Sequence, residues 1–421
     1  MQQAGLISPD YAPPFRIVIK YFLTAIFAFL ILNLLLMLNF EGFRGYHFQP
    51  KVLALTHIAT LGWITMIIFG ALFQLIPVVL QVKLFSEILA EIQFWIFSLG
   101  VILLVYSFWY FQIDLHLTIA AATINLAVII FLVNAVVTMF SVKEWNITAT
   151  YLAAALFYLL VTVVLGLILA INLGFPFIES NHLVYLGYHV NIAVTGWLTM
   201  VIMGITFKLI PMFTLSHDFS KLSGKWAFGL INAGLVGFLI ELYINDPGVP
   251  YFIAALLIAL GIVCFLYQVF VMFRKRVRKK LDAALWFTMT SYVFLGLSML
   301  FGFSFLIVDY SKYLSITLAY GYMIFFGFIS MLIVGQMYKI LPFLTWYHKY
   351  SSKAGIEKVP MLREMYDERL AYLEYFLMLA SVTGSVISII FEIQILLHIC
   401  FIAMFASVLI FVFNMIKILV K

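Results

Sequence analysis

Charge is what this chain has least of. Only 10% of its 421 residues are Asp, Glu, Lys or Arg, against 65% that are hydrophobic, whereas a water-soluble globule usually carries about a quarter charged. With a mean hydropathy of +1.13, that shortage excludes a soluble enzyme. Cysteine is nearly absent too. Cys264 and Cys400 are the only two, both inside apolar runs, which excludes a disulfide framework or a thiolate metal centre and leaves them packing roles. The sequence also has no Gly-rich phosphate loop, no nucleophile elbow and no HExxH zinc pattern.

What is there is hydrocarbon-compatible helix. About 20 apolar residues cross a bilayer core, and twelve such stretches occur, roughly at 16–40, 52–79, 88–111, 115–141, 148–172, 182–213, 225–245, 250–273, 282–308, 313–345, 370–391 and 394–420. The start of the chain lacks the basic residues and small-residue cleavage site of a secretory signal, so the first span is expected to be retained. Sixteen residues are written three times: GWITMIIFGALFQLIP from Gly62 to Pro77, GWLTMVIMGITFKLIP from Gly196 to Pro211, and GFISMLIVGQMYKILP from Gly327 to Pro342. The copies start 134 and 131 residues apart, which makes the repeat about a third of the chain. The expected fold is all-α: one transmembrane domain over 1–421, with twelve transmembrane helices as three pseudo-symmetric four-helix repeats, about 16–141, 148–273 and 282–420. The motif falls on the second helix of each repeat. A solvated connector of mixed charge, about 347–369, joins spans 10 and 11.

Basic residues set the orientation. With both termini cytoplasmic, 21 of the 24 Lys and Arg face the cytoplasm, and only Arg44, Lys51 and Lys312 lie outside, as the positive-inside rule requires. The run from Arg274 to Lys280 is then topogenic and attracted to anionic lipid heads rather than to nucleic acid. The net charge of +6 comes from the same bias. Membrane lipids are the expected partners, and a bacterial cytoplasmic membrane, crossed many times, the expected location.

Histidine is where chemistry can sit. In this topology His57, His116, His182, His189 and His398 fall near the outer ends of spans 2, 4, 6 and 12, and His47 in an outer loop; His217 and His348 are cytoplasmic. Ionisable side chains in a membrane are costly and tend to face a bundle interior. For each, the alternatives are a ligand to a cofactor or an imidazole bonded to a carbonyl. Counting back 20 residues from each motif proline gives His57, Asn191 and Tyr322, one level in three copies; His189 and Tyr320 stand two residues further out. His182 and His189, seven apart, return to one helix face, yet a rise of about 10 Å is too long for both to bind one metal ion directly.

Twelve spans, both termini inside, a threefold repeat, histidines on spans 2 and 6, and the string Thr56-His57-Ile58-Ala59-Thr60-Leu61-Gly62-Trp63 together resemble subunit I of the haem–copper oxidase superfamily, which includes cytochrome oxidases and nitric oxide reductases. NnrS-type haem–copper membrane proteins are a more distant likeness. The resemblance implies that His57 ligates a low-spin haem and that His189 is the copper candidate, chemistry that suits neutral imidazole. Haem b, copper, a cytochrome c or quinol electron donor and a partner subunit are implied in the same way.

The departures are informative. The family's histidine pair on span 7 is missing from 225–245, its two span-10 histidines are replaced by a stretch carrying Tyr320 and Tyr322, and its span-6 tyrosine by Ala193. A complete binuclear centre cannot be assembled from these residues. The spans also show no evident interior acid or lysine for a proton channel, since Glu91, Lys208 and Lys339 lie near cytoplasmic ends and can snorkel. A reduced site is expected instead, with His57 and His398 as the two axial ligands of a haem b and with His182, His116, Asn191, Tyr320 and Tyr322 as further candidates. Within the motif, the paired glycines are expected to allow close helix approach. The closing prolines are expected to end or bend the helix, Trp63, Trp197 and Phe328 to fill the bundle, and Thr65, Thr199 and Ser330 to satisfy helix carbonyls. The alternative to a redox or gas-binding protein is a cofactor-free channel or transporter, or an accessory protein that delivers haem or copper to a respiratory complex.

Overall fold

A computed structural model describes residues 11–39, 46–178, 181–244, 249–308 and 315–421. Arg44 and Lys312, two of the three outer basic residues, lie outside the described residues. Among the described residues the chain is helical and forms no strand. Twelve helices are long and apolar enough to cross a membrane: α1 Phe15–Leu38, α2 Pro50–Leu80, α3 Glu87–Trp109, α4 Leu115–Phe140, α5 Ile147–Gly174, α6 His182–Thr214, α7 Leu222–Tyr243, α8 Pro250–Arg274, α9 Ala283–Ser304, α10 Ser315–Tyr350, α11 Glu368–Ile390 and α12 Gln394–Val420. Their heads are set by side chains that accept the first free amides: Ser86, Asp114, Asn146, Asn181, Asp282 and Asp367 cap α3, α4, α5, α6, α9 and α11.

The motif helices differ from the rest in burial. In their most apolar stretches α2, α6 and α10 are 83%, 67% and 78% buried, whereas the other nine run from 33% to 50%. The latter present large apolar side chains outward, among them Ile88, Trp95 and Phe140, as helices facing lipid must. The packing forms two compact units. One comprises Met1–Tyr21 with Ile68–Lys279, the other Phe22–Ile67 with Lys280–Lys421, so α1 and α2 each contribute to both.

Each motif helix changes its winding at the motif. Residues Ile58–Thr65, Ile192–Thr199 and Met323–Ser330 are π-helical, eight residues in every copy, inside otherwise α-helical spans. Such segments are rare, mostly single turns, and cluster at functional sites. The motif's first glycine is the fifth residue of each segment. A Cβ at Gly196 would meet the Tyr158 ring at 2.6 Å, and one at Gly327 the Phe294 ring at 2.7 Å. The second glycine repeats the arrangement two turns on, with Tyr151 Cβ 2.8 Å from the Cβ position of Gly204 and Phe287 Cβ 2.8 Å from that of Gly335. In the second and third copies the glycines are therefore notches that seat aromatic residues of the preceding helix, α5 or α9.

The prolines do not end their helices. Pro77 and Pro211 lie inside α2 and α6, and Pro342 is followed by eight more helical residues. In α2 and α6 the proline carbonyl accepts the amide five residues on, from Val82 at 3.0 Å and Ser216 at 3.1 Å. Gln81 and Leu215, just before those amides, are left-handed with φ of 55° and 54°. This is a Schellman closure, and the proline sits one turn inside it, where its carbonyl is used and its missing N–H costs a single bond.

Filling the Gly327 notch should destabilise the fold. Gly327→Ala is expected to cost about 1–3 kcal/mol, because Phe294 must leave its site. Gly187→Ala on α6, whose Cβ would meet nothing within 4 Å, should stabilise by up to about 1 kcal/mol through helix propensity. Thermal unfolding in detergent of the two variants beside the parent measures both signs.

Candidate functional site

The three residues that the repeat aligns sit at the seam between windings. His57, Asn191 and Tyr322 are each the residue immediately before a π segment. Their side chains do different things. His57 is half-buried on α2 and its Nδ1 lies 2.8 Å from the Leu53 carbonyl one turn back. A carbonyl can only accept, so Nδ1 carries the proton and, in the neutral ring, Nε2 carries the lone pair. Asn191 turns back on its own helix, donating from Nδ2 to the Gly187 carbonyl at 2.9 Å. Tyr322 is buried, stacked on Phe326 at 4.3 Å and packed 5.8 Å from Phe401 of α12.

His398 is half-buried on α12, three residues before Phe401 and so about one turn from the Tyr322 level. His57, Tyr322 and His398 belong to the same compact unit. His189 belongs to the other. Its Nδ1 lies 3.1 Å from the Thr162 carbonyl of α5, and a Cβ at Gly166 would stand 3.1 Å from its Cε1, so the ring rests in a small-residue recess. It therefore has the same tautomer as His57.

The remaining candidates have structural partners. His182 starts α6 and its Nδ1 meets Asn172 Nδ2 at 3.1 Å. The Asn172 oxygen accepts the amides of Phe177 and Ile178 at 2.9 and 2.8 Å, which ties down the end of α5. His116 is exposed and bonds the capping carboxyl of Asp114 at 2.8 Å, which with the His116 amide holds that carboxyl below its ordinary range. Tyr320 packs edge-on to Phe301 and Phe305, and its hydroxyl stands 2.7 Å from the Cβ position of Gly302.

One and a half turns further in from His57, protein rings fill the unit. Trp63 is fully buried, stacks on Phe29 at 4.3 Å with 13° between planes, and meets Phe411 edge-on at 6.1 Å. Its indole N–H donates to Ser330 Oγ at 3.0 Å, which joins the π segments of α2 and α10. Ser330 thus serves an indole on another helix. The level of Trp63, roughly 9 Å along α2 from His57, is thus filled by protein rings.

The expectation that the spans hold no interior acid is wrong. Glu241 on α7 and Glu374 on α11 are each 1% exposed. Lys339 pairs with Asp282, both side chains being nearly buried. Glu91 does lie at a wetter position, paired with Lys20. The sequence carried a signal for Glu374: it stands seven residues after Asp367, the cap of α11, and Gln93, also fully buried, stands seven after Ser86, the cap of α3.

Among the described residues, no three of His, Cys, Asp and Glu converge as a metal site. A single imidazole at His189 has the donor chemistry for copper but not, by itself, a ligand set. No protein-family model and no curated protein matches the chain.

Removing the Ser330 hydroxyl should test the joint between the π segments. Ser330→Ala leaves a fully buried indole N–H without its acceptor, a loss of about 1–3 kcal/mol. Ser330→Thr, the residue type at the equivalent positions Thr65 and Thr199, should cost much less. Chemical unfolding in detergent followed by tryptophan fluorescence reads both.

Proposed function

We propose that this chain is a haem-binding membrane protein of the haem–copper oxidase subunit I type. It serves respiratory electron transfer, or the binding or reduction of nitric oxide or oxygen, without a complete binuclear centre. The observation that carries this reading is His57: a half-buried imidazole on a motif helix, at the start of a π segment, with Nδ1 committed to the Leu53 carbonyl. The donor set fits haem b in kind, with one oriented imidazole on α2 and a second, His398, on α12 of the same unit. Haem held by both imidazoles would supply one-electron chemistry, and haem held by His57 alone would also leave a position for a diatomic gas. The chain supplies the rest. Leu53 fixes the ligand ring, and the stack of Phe29 and Trp63 closes the inner side against water. In this reading both termini are cytoplasmic, the three motif units are related by pseudo-threefold symmetry, and the donor, a cytochrome c or a quinol, delivers electrons from outside the chain.

A second reading has one observation in its favour. Glu241 and Glu374 are carboxyls buried within apolar helices, and such groups mark ion or proton paths in transporters.

The protein expressed with haem supply should carry stoichiometric haem, with sharp bands on dithionite reduction, and iron and copper quantified on the same sample fix the content. His57→Ala should lose the haem. Retention of haem by His398→Ala removes His398 from the ligand set, and a folded preparation with neither haem nor copper overturns the redox reading in favour of transport.

A further inference from the structure

Glu374 is buried and its carboxyl is held by a hydrogen bond from a neighbouring helix. Tyr338 of α10 donates its hydroxyl proton to Glu374 Oε2. Asn414 of α12 donates to the Tyr338 oxygen at 2.9 Å and to the Asp367 carbonyl at 3.3 Å, and accepts the Asp367 amide at 3.0 Å. Ser407 of α12 donates to the Glu374 carbonyl at 3.2 Å. Among the described residues no ion pair includes Glu374. Lys339 of α10 pairs with Asp282 at the head of α9, and Lys417 of α12 lies 3.9 Å from Asp367. The other titratable groups nearby are phenols: Tyr366, 4.9 Å from the Tyr338 ring, and Tyr375, bonded to Thr290 of α9 at 2.9 Å.

The chain contains its own control. At the head of α3, Asn134 of α4 donates to the Ser86 carbonyl at 2.7 Å and accepts the Ser86 amide at 3.1 Å, the same clasp that Asn414 makes on Asp367. Seven residues beyond the cap stands Gln93, whose Oε1 accepts from the Tyr21 hydroxyl, as Glu374 Oε2 accepts from Tyr338. An amide therefore occupies this position in the fold, its Oε1 bonded to the tyrosine and its Nε2 buried without a partner. A carboxyl adds one property that an amide lacks, the ability to take up and release a proton, and an unpaired carboxylate buried there costs several kcal/mol.

We infer that Glu374 is a proton-binding site: a carboxyl buried among α10, α11 and α12, held through Oε2 by Tyr338 and carried as the neutral acid. Uptake forms one O–H bond on the carboxyl and takes its charge from −1 to 0; no electron moves. Tyr338 is a positioning residue and Asn414 positions Tyr338.

The test is infrared difference spectroscopy on the full chain in lipid, parent against Glu374→Gln, at neutral pH in H2O and D2O. An acid C=O band that is absent from the variant, shifts down in D2O and loses intensity as pH is raised is the expected result. Tyr338→Phe removes a hydrogen bond to the acid and should move the band up in frequency. If Glu374→Gln removes only carboxylate bands, or if the acid band neither shifts in D2O nor responds to pH, the inference is wrong. Should Glu374→Gln fail to fold, Tyr338→Phe decides: a shifted acid band supports the site, an unchanged spectrum overturns it. Haem content enters none of these readouts.

Discussion

Water is unavailable to the backbone of a membrane span, so every peptide group there must find its partner inside the protein. That requirement shapes the most unusual element of this chain. A π-helical run keeps each amide bonded, to a carbonyl five residues back instead of four, and so changes the direction of the following side chains without leaving a polar group bare. Three such runs of eight residues, each opening after His57, Asn191 or Tyr322, alter side-chain direction within each of the three most buried helices. The wider winding costs helix packing, and in α6 and α10 the glycine at its fifth residue lets Tyr158 or Phe294 fill the space.

The same constraint explains the polar residues that the interior tolerates. Asn134 and Asn414 each clasp both backbone groups of a helix cap on a neighbouring helix. Tyr21 and Tyr338 each spend a hydroxyl on the side chain seven residues past that cap. These are cross-helix bonds where lipid offers no alternative, and they fix the register of α3 on α4 and of α11 on α12 more tightly than apolar packing, which tolerates sliding.

The spans were legible because hydropathy is additive: a window of apolar residues reports a crossing whatever its neighbours do. The motif's glycines were legible as close contacts for the same local reason. Glu374 was missed because one carboxyl scarcely moves a window average, and because its place near a helix end suits a snorkelling side chain as well as a buried one. Only the recurrence of cap, seven-residue spacing and amide at Ser86 and Gln93 distinguishes them, and that relation joins segments 281 residues apart. Pro77 and Pro211 were expected to end or bend their helices; each lies one turn before a left-handed residue, inside a regular closure. The winding change itself has no composition signal.

Distance separates the two chemistries assigned to the second unit. On α10, Tyr322 stands at the repeat position of His57 and Tyr338 holds Glu374; they are 16 residues apart, at most about 24 Å at 1.5 Å per residue. A unit charge appearing at Glu374 is felt at the His57 level as about 0.7 kcal/mol with an effective dielectric of 20, roughly a threefold change in an equilibrium. That is too weak for the carboxyl to act as a direct acid or base for anything bound at His57, yet enough for its protonation to bias the charge state of a group there. A haem at His57 and a proton at Glu374 are therefore separate claims on the same fold. Either can hold while the other fails, and only if both hold does the unit acquire a weak electrostatic link between electron and proton across most of the membrane's thickness.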